Sequence, residues 1–170
     1  MRDFGLPGRS PAVGGTAMIA TSHTMASAAG LDVLRAGGSA VDAALTAAAL
    51  LCVVEPQMTG IGGDSFALVA TPDGTVEGMS GTGRAPQAAA RDAVAQALSR
   101  QGCPVETDGY GHTKIPRHTA HAVTVPGALA GWAALHERYG TMPWATLFEP
   151  AIRAAKEGFP VASRVASDWA

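Results

Sequence analysis

Residues Glu55–Ser65, EPQMTGIGGDS, place three glycines within four positions between two apolar runs. Glycine clusters occur where a chain takes positive φ or where another group approaches the backbone closely. A phosphate loop, a substrate wall and a tight piece of backbone are the competing readings. A Walker loop requires GxxxxGK[ST], and the sequence contains no Gly-Lys pair. A dinucleotide fingerprint requires GxGxxG after a strand and before a helix. Gly60 and Gly62 fit it, but Ser65 stands where the third glycine belongs. The order is also reversed, with a helical pattern before the cluster and a strand pattern after it. No helix N-terminus would face a phosphate. Close packing of a helix against a strand is the favoured reading of the glycines.

Upstream, AVDAALTAAALLCVV (Ala40–Val54) is apolar almost all round, which predicts a buried helix. Ser39 and Asp42 stand at the two positions of a capping box, and Pro56 ends the helix. Met25–Ala36 reads as a preceding helix stopped by Gly37-Gly38, so the pair forms a helical hairpin. Ala17–Ala20 reads as a short strand, and residues 1–16 as an extended lead-in.

Downstream, SFALVAT and TVEGMS flank Pro72-Asp73-Gly74 and predict a β-hairpin. The loop GTGRAP follows, then a helix over 88–100 and a polar loop from Cys103 to Thr119. HAVTV (His121–Val125) reads as a strand, and Ala128–Tyr139 as an amphipathic helix stopped by Gly140. Thr141-Met-Pro143 supplies a hydroxyl cap and an early proline for the next helix, which Pro150 divides and Gly158 ends. A connector leads into one more helix. There is no internal repeat, and residues 1–170 are expected to form a single incomplete domain.

A net charge of −2 without a basic cluster argues against nucleic-acid or anionic-membrane partners. The longest apolar run, Ala43–Val54, is too short to span a bilayer. The first residues, MRDFGLPGRSP, lack the apolar core of a signal peptide, so a cytoplasmic location is expected. Cys52 and Cys103 form no metal or disulfide spacing. His112, His118 and His121 cluster without an acidic or thiol ligand at fixed spacing, which favours ordinary loop histidines over a metal site. His23 reads as a cap or a core residue. No cofactor motif is present, and no G-x-S-x-G elbow supplies a serine nucleophile.

Arg84 stands in a glycine-rich, proline-bounded loop directly after a strand. A guanidinium there suits bidentate binding of a carboxylate, and equally suits tying down its own loop. From the residues alone the chain is a mixed α and β domain with an anion-binding loop as one of two readings.

Several segments, in order, resemble the γ-glutamyltranspeptidase family: RAGGSAVDAA, EPQMTGIGGDSFALV, GTGRAP, VPGALAGW and PAIRAAKEGFPV. The similarity runs from about Ala17 to the last residue. It implies an α+β chain that forms part of an αββα four-layer sandwich, the N-terminal nucleophile hydrolase fold. It also implies a precursor that cleaves itself to expose a threonine, whose own α-amine activates it to attack a γ-glutamyl amide. The acyl group then passes to water or to an amine. The match covers the N-terminal part of the large subunit, so no catalytic residue is expected within this chain. Thr21-Ser-His23 and Thr119-Ala-His121 superficially resemble the processing site but fall inside segments matched to the large subunit.

Many family members carry an arginine after the second strand, in a phrase like F-R-E-M-A-P, which grips the substrate carboxylate. Aligning Ala-Pro on Ala85-Pro86 puts Thr82 at that position and Arg84 two residues later. GTGRAP resembles a divergent branch, implying γ-glutamyl or other small carboxylate-bearing amides as substrates. Thr82 and Arg84 are the candidate substrate-binding residues, and the missing remainder, including the small subunit, is the expected partner. The alternative is a non-catalytic remnant that binds a small carboxylate or pairs with another subunit.

Overall fold

The computed structural model describes residues 11–103, 106–116 and 119–169. The chain divides into two compact units, Met1–Ile61 with Trp132–Ala170, and Gly62–Gly131.

The first unit is helical. Helix α1 (Thr24–Arg35) begins at His23, whose Nδ1 accepts from the Met25 amide at 3.2 Å. His23 is buried, so it is both cap and core. Gly37, with φ 89°, takes the left-handed turn that follows α1. Helix α2 (Ala40–Val54) starts with the expected capping box: Ser39 Oγ accepts from the Asp42 amide at 3.0 Å, and the Asp42 carboxylate accepts from the Ser39 amide at 2.9 Å. Ala43, Leu45, Ala47, Leu50 and Val54 are all at most 5% exposed, which makes α2 the centre of this unit's core. A Cβ on Gly30 would lie 2.2 Å from Ile19 Cδ1 and 3.1 Å from the Ala43 carbonyl, so glycine lets α1 approach α2 closely.

Helix α5 (Trp144–Glu157) packs against α2 through Leu147, Ala151 and Ala154. It runs unbroken through Pro150, where the sequence predicts a division. An interior proline costs about 3 kcal/mol. Burying Leu147 alone returns about 2 kcal/mol, and the buried alanines on the same stripe offset the rest. The expected hydroxyl cap is also replaced: Pro143 is the N-cap, and the Thr141 hydroxyl turns to Asp42 at 2.7 Å. Helix α6 (Ser163–Trp169) buries Val165.

Asp42 is fully buried and joins two turns that lie far apart in sequence. Its Oδ2 accepts from the Ser39 amide, the Thr141 amide at 3.0 Å, the Thr141 hydroxyl and the Met142 amide at 3.2 Å. His136 Nε2 donates to the Met142 carbonyl at 2.8 Å and lies 4.0 Å from Asp42 Oδ1. Burial by itself would raise the Asp42 pKa, but the donors from Thr141 and Ser39 hold it below its ordinary value.

In the second unit, β1 (Phe66–Ala70) and β2 (Val76–Ser80) form the predicted antiparallel hairpin, with Leu68 opposite Gly78. One face presents Phe66, Leu68 and Val76, each more than half exposed. Helix α3 (Arg91–Arg100) starts three residues later than the sequence suggests. The polar loop after Cys103 contains a small hairpin of β3 (Glu106–Thr107) and β4 (Thr113–Lys114). Its turn is organised by Asp108, which accepts from the amides of Tyr110 and His112 and pairs with the His112 ring at 2.9 Å. Helix α4 (Ala128–Tyr139), whose residues from Trp132 on belong to the first unit, matches its predicted bounds.

Two predicted strands are absent. Ala17–Ala20 and His121–Val125 carry strand-like residues, but neither pairs in a ladder among the described residues. His121 lies instead in a 3₁₀ turn, Ala120–Ala122, and His118 lies outside the described residues.

Candidate functional site: the Gly81–Arg84 loop

The loop continues directly from β2. Ser65 and Gly81 exchange backbone hydrogen bonds at 2.7 and 3.4 Å, extending the hairpin by one pair beyond Phe66 and Ser80. On its other side the chain after Thr124 comes close: the Val125 amide donates to the Arg84 carbonyl at 3.4 Å. The approach excludes side chains. A Cβ on Gly83 would lie 1.3 Å from the Val125 carbonyl oxygen, and one on Gly127 would lie 2.3 Å from the Gly81 oxygen. Glycine at 83 and 127 is therefore a packing requirement.

Asp64 ties the two sides together. Its Oδ1 accepts from the Thr124 hydroxyl at 3.1 Å and from the Gly83 amide at 3.4 Å. Next to it, the Gly63 carbonyl accepts from the Gly127 and Ala128 amides at 3.1 and 2.9 Å, which satisfies the first donors of α4. Ser65 Oγ donates to the Ala128 carbonyl at 3.2 Å.

These contacts revise the reading of EPQMTGIGGDS. Gly60 and Gly62 have nothing within 4 Å of an added Cβ, and neither has positive φ. Close packing falls instead to Gly81, Gly83, Gly127 and Gly131. The stretch contributes a carbonyl, a carboxylate and a hydroxyl from Gly63, Asp64 and Ser65. Sequence reasoning missed Asp64; its only signal was an acidic residue directly after the glycines.

Thr82 and Arg84 both project from this braced backbone and are exposed. Thr82 Oγ1 lies 3.2 Å from Ser80 Oγ. Among the described residues the Arg84 guanidinium has no hydrogen-bond or ion-pair partner, so it does not tie down its own loop. The loop thus offers a fixed backbone, two hydroxyls and a guanidinium that no described residue neutralises, which can receive a carboxylate. Among the described residues no group of three or more His, Cys, Asp and Glu side chains could hold a metal ion. No described helix is long and apolar enough to cross a membrane. Cys52 donates to the Ala48 carbonyl within α2, and burial pushes its thiol pKa up.

The fold is similar to solved structures of N-terminal nucleophile hydrolases. A cephalosporin acylase from Bacillus halodurans is 39% identical with a TM-score of 0.75, covering 96% of this chain and 29% of that one. The γ-glutamyltranspeptidase of Helicobacter pylori is 29% identical with a TM-score of 0.76, covering 94% of this chain and 43% of that one. The described residues are accordingly an α+β part of the αββα sandwich. In sequence, the Acylase ACY 1 proenzyme of Pseudomonas sp. strain V22 is 38% identical over 158 residues, which are 90% of this chain and 27% of the relative. The γ-glutamyltranspeptidase family model matches residues 26–170, and the chain belongs to that family.

Proposed function

We propose that these residues belong to an amide hydrolase or acyltransferase of the γ-glutamyltranspeptidase type, whose threonine nucleophile lies outside this chain. The chain spans 27% of the length of the acylase proenzyme it matches, and the proposal assigns the nucleophile and much of the site to residues outside it. The precursor cleaves itself, and the new N-terminal threonine attacks the amide carbonyl with its own α-amine as base. The acyl-enzyme then passes to water or to an acceptor amine.

The contribution of this chain is recognition. Arg84 receives the carboxylate of the substrate's acyl part in charge-assisted hydrogen bonds, and the Thr82 hydroxyl adds a donor beside it. The observation that carries this reading is the Arg84 guanidinium, without a partner among the described residues, on a backbone that glycine packing and Asp64 hold in place. The substrate class is a small amide with a carboxylate on its acyl side, γ-glutamyl or another dicarboxylic acyl group. This agrees with relatives whose names include both an acylase and a γ-glutamyltranspeptidase.

The test is to express the complete reading frame. Mass spectrometry is expected to find two subunits, the smaller beginning with threonine, and an acyl 4-nitroanilide bearing a terminal carboxylate is expected to be hydrolysed. A frame that stops at Ala170, or an uncleaved and inactive product, would contradict the proposal.

A further inference from the structure

We infer that Asp64 is the positioning residue of the carboxylate anchor, setting where Arg84 stands without touching substrate. The inference rests on the reading of Arg84 as the anchor. Asp64 Oδ1 holds the Gly83 amide from one side and the Thr124 hydroxyl from the other. The Val125 amide holds the Arg84 carbonyl. The Gly83-Arg84 dipeptide is thus held at the Gly83 amide and at the Arg84 carbonyl, by groups from two separate segments. The tight contact between Gly83 and the Val125 carbonyl fixes the spacing between those segments.

Asp64 does this without neutralising its neighbour. Its carboxylate makes no ion pair with Arg84; Oδ1 accepts from an amide and a hydroxyl. An acceptor at this point is needed, and a negative charge is not. Asparagine would keep the acceptor oxygen, whereas alanine would release the loop. A released loop would have to be ordered again each time a substrate binds, at a cost of about a fivefold or greater loss of apparent affinity.

The experiment uses the complete, matured protein with two probes, glutaryl-4-nitroanilide, which carries a carboxylate, and pentanoyl-4-nitroanilide, which does not. Asp64→Ala is expected to raise KM for the glutaryl probe about fivefold or more, with kcat and the pentanoyl KM within about twofold of the parent. Asp64→Asn is expected to restore most of the loss, and Thr124→Val to give a smaller rise in the same direction. Equal changes for both probes, or an unchanged glutaryl KM in Asp64→Ala while Arg84→Ala raises it, would overturn the inference. An unchanged glutaryl KM in Arg84→Ala would refute the anchor itself. In the complete matured protein, site-resolved hydrogen exchange gives a second readout. The Gly83 amide should exchange faster in Asp64→Ala and be restored in Asp64→Asn, and unaltered exchange in Asp64→Ala counts against the inference.

Discussion

Replacing Asp42 by alanine should be among the most damaging single changes in the helical unit. The Oδ2 atom accepts four hydrogen bonds, from the amides of Ser39, Thr141 and Met142 and the hydroxyl of Thr141. A hydrogen bond to a charged group contributes about 1.5–3 kcal/mol. Four bonds sharing one oxygen do not add, and Thr141 is exposed enough for water to replace part of what it loses. Counting two full bonds gives a loss of about 3–6 kcal/mol, a large share of an ordinary domain's stability. Thr141→Val removes only one of the donors and should cost about 1–2 kcal/mol. The assay is urea unfolding of the complete protein followed by helical circular dichroism, with hydrogen exchange at the Met142 amide as a local probe. A loss below about 1 kcal/mol for Asp42→Ala would refute the idea that this carboxylate joins the two turns.

The same group predicts a pH dependence. Its native pKa lies below the ordinary 3.8, so its stabilisation is fully present above that value and disappears as pH falls through the native one. The stability gap between the parent and Asp42→Asn should therefore shrink on acidification, and a gap constant down to pH about 2 would contradict the assignment. Gly83→Ala should cost about 2–3 kcal/mol or displace the loop, seen as faster exchange of the Val125 amide. Gly60→Ala, by contrast, should change the stability of this chain by less than about 0.5 kcal/mol or increase it slightly, because the added Cβ meets nothing.

What the sequence made legible was local. The Ser39–Asp42 box, the apolar face of α2, the Pro72-Asp73-Gly74 hairpin and the bounds of α4 depend on neighbours within one or two turns. What it hid was set at long range. Asp42 looks like a capping residue, and its bonds to Thr141 connect positions 99 residues apart. Val123–Val125 alternates like a strand, yet its segment meets the GTGRAP loop in a single backbone hydrogen bond, from Val125 to Arg84. Pro150 reads as a helix break, but tertiary burial of the α5 stripe outweighs it. The glycine cluster marked the right place for the wrong reason: the crowded glycines are those on the facing segments. Arg84 stood out from its loop context, whereas Asp64 could not be distinguished from a turn residue until the Thr124 segment was seen against it.

The central claim is that Arg84 binds the substrate's carboxylate, and the most direct measurement is the KM of Arg84→Ala in the complete matured protein. For a carboxylate-bearing amide KM should rise about tenfold or more, the equivalent of one lost charge-assisted hydrogen bond. The same change should leave a neutral amide of equal length unaffected. An unchanged KM for the carboxylate-bearing amide would show that Arg84 is a surface residue of the loop and not the carboxylate's partner.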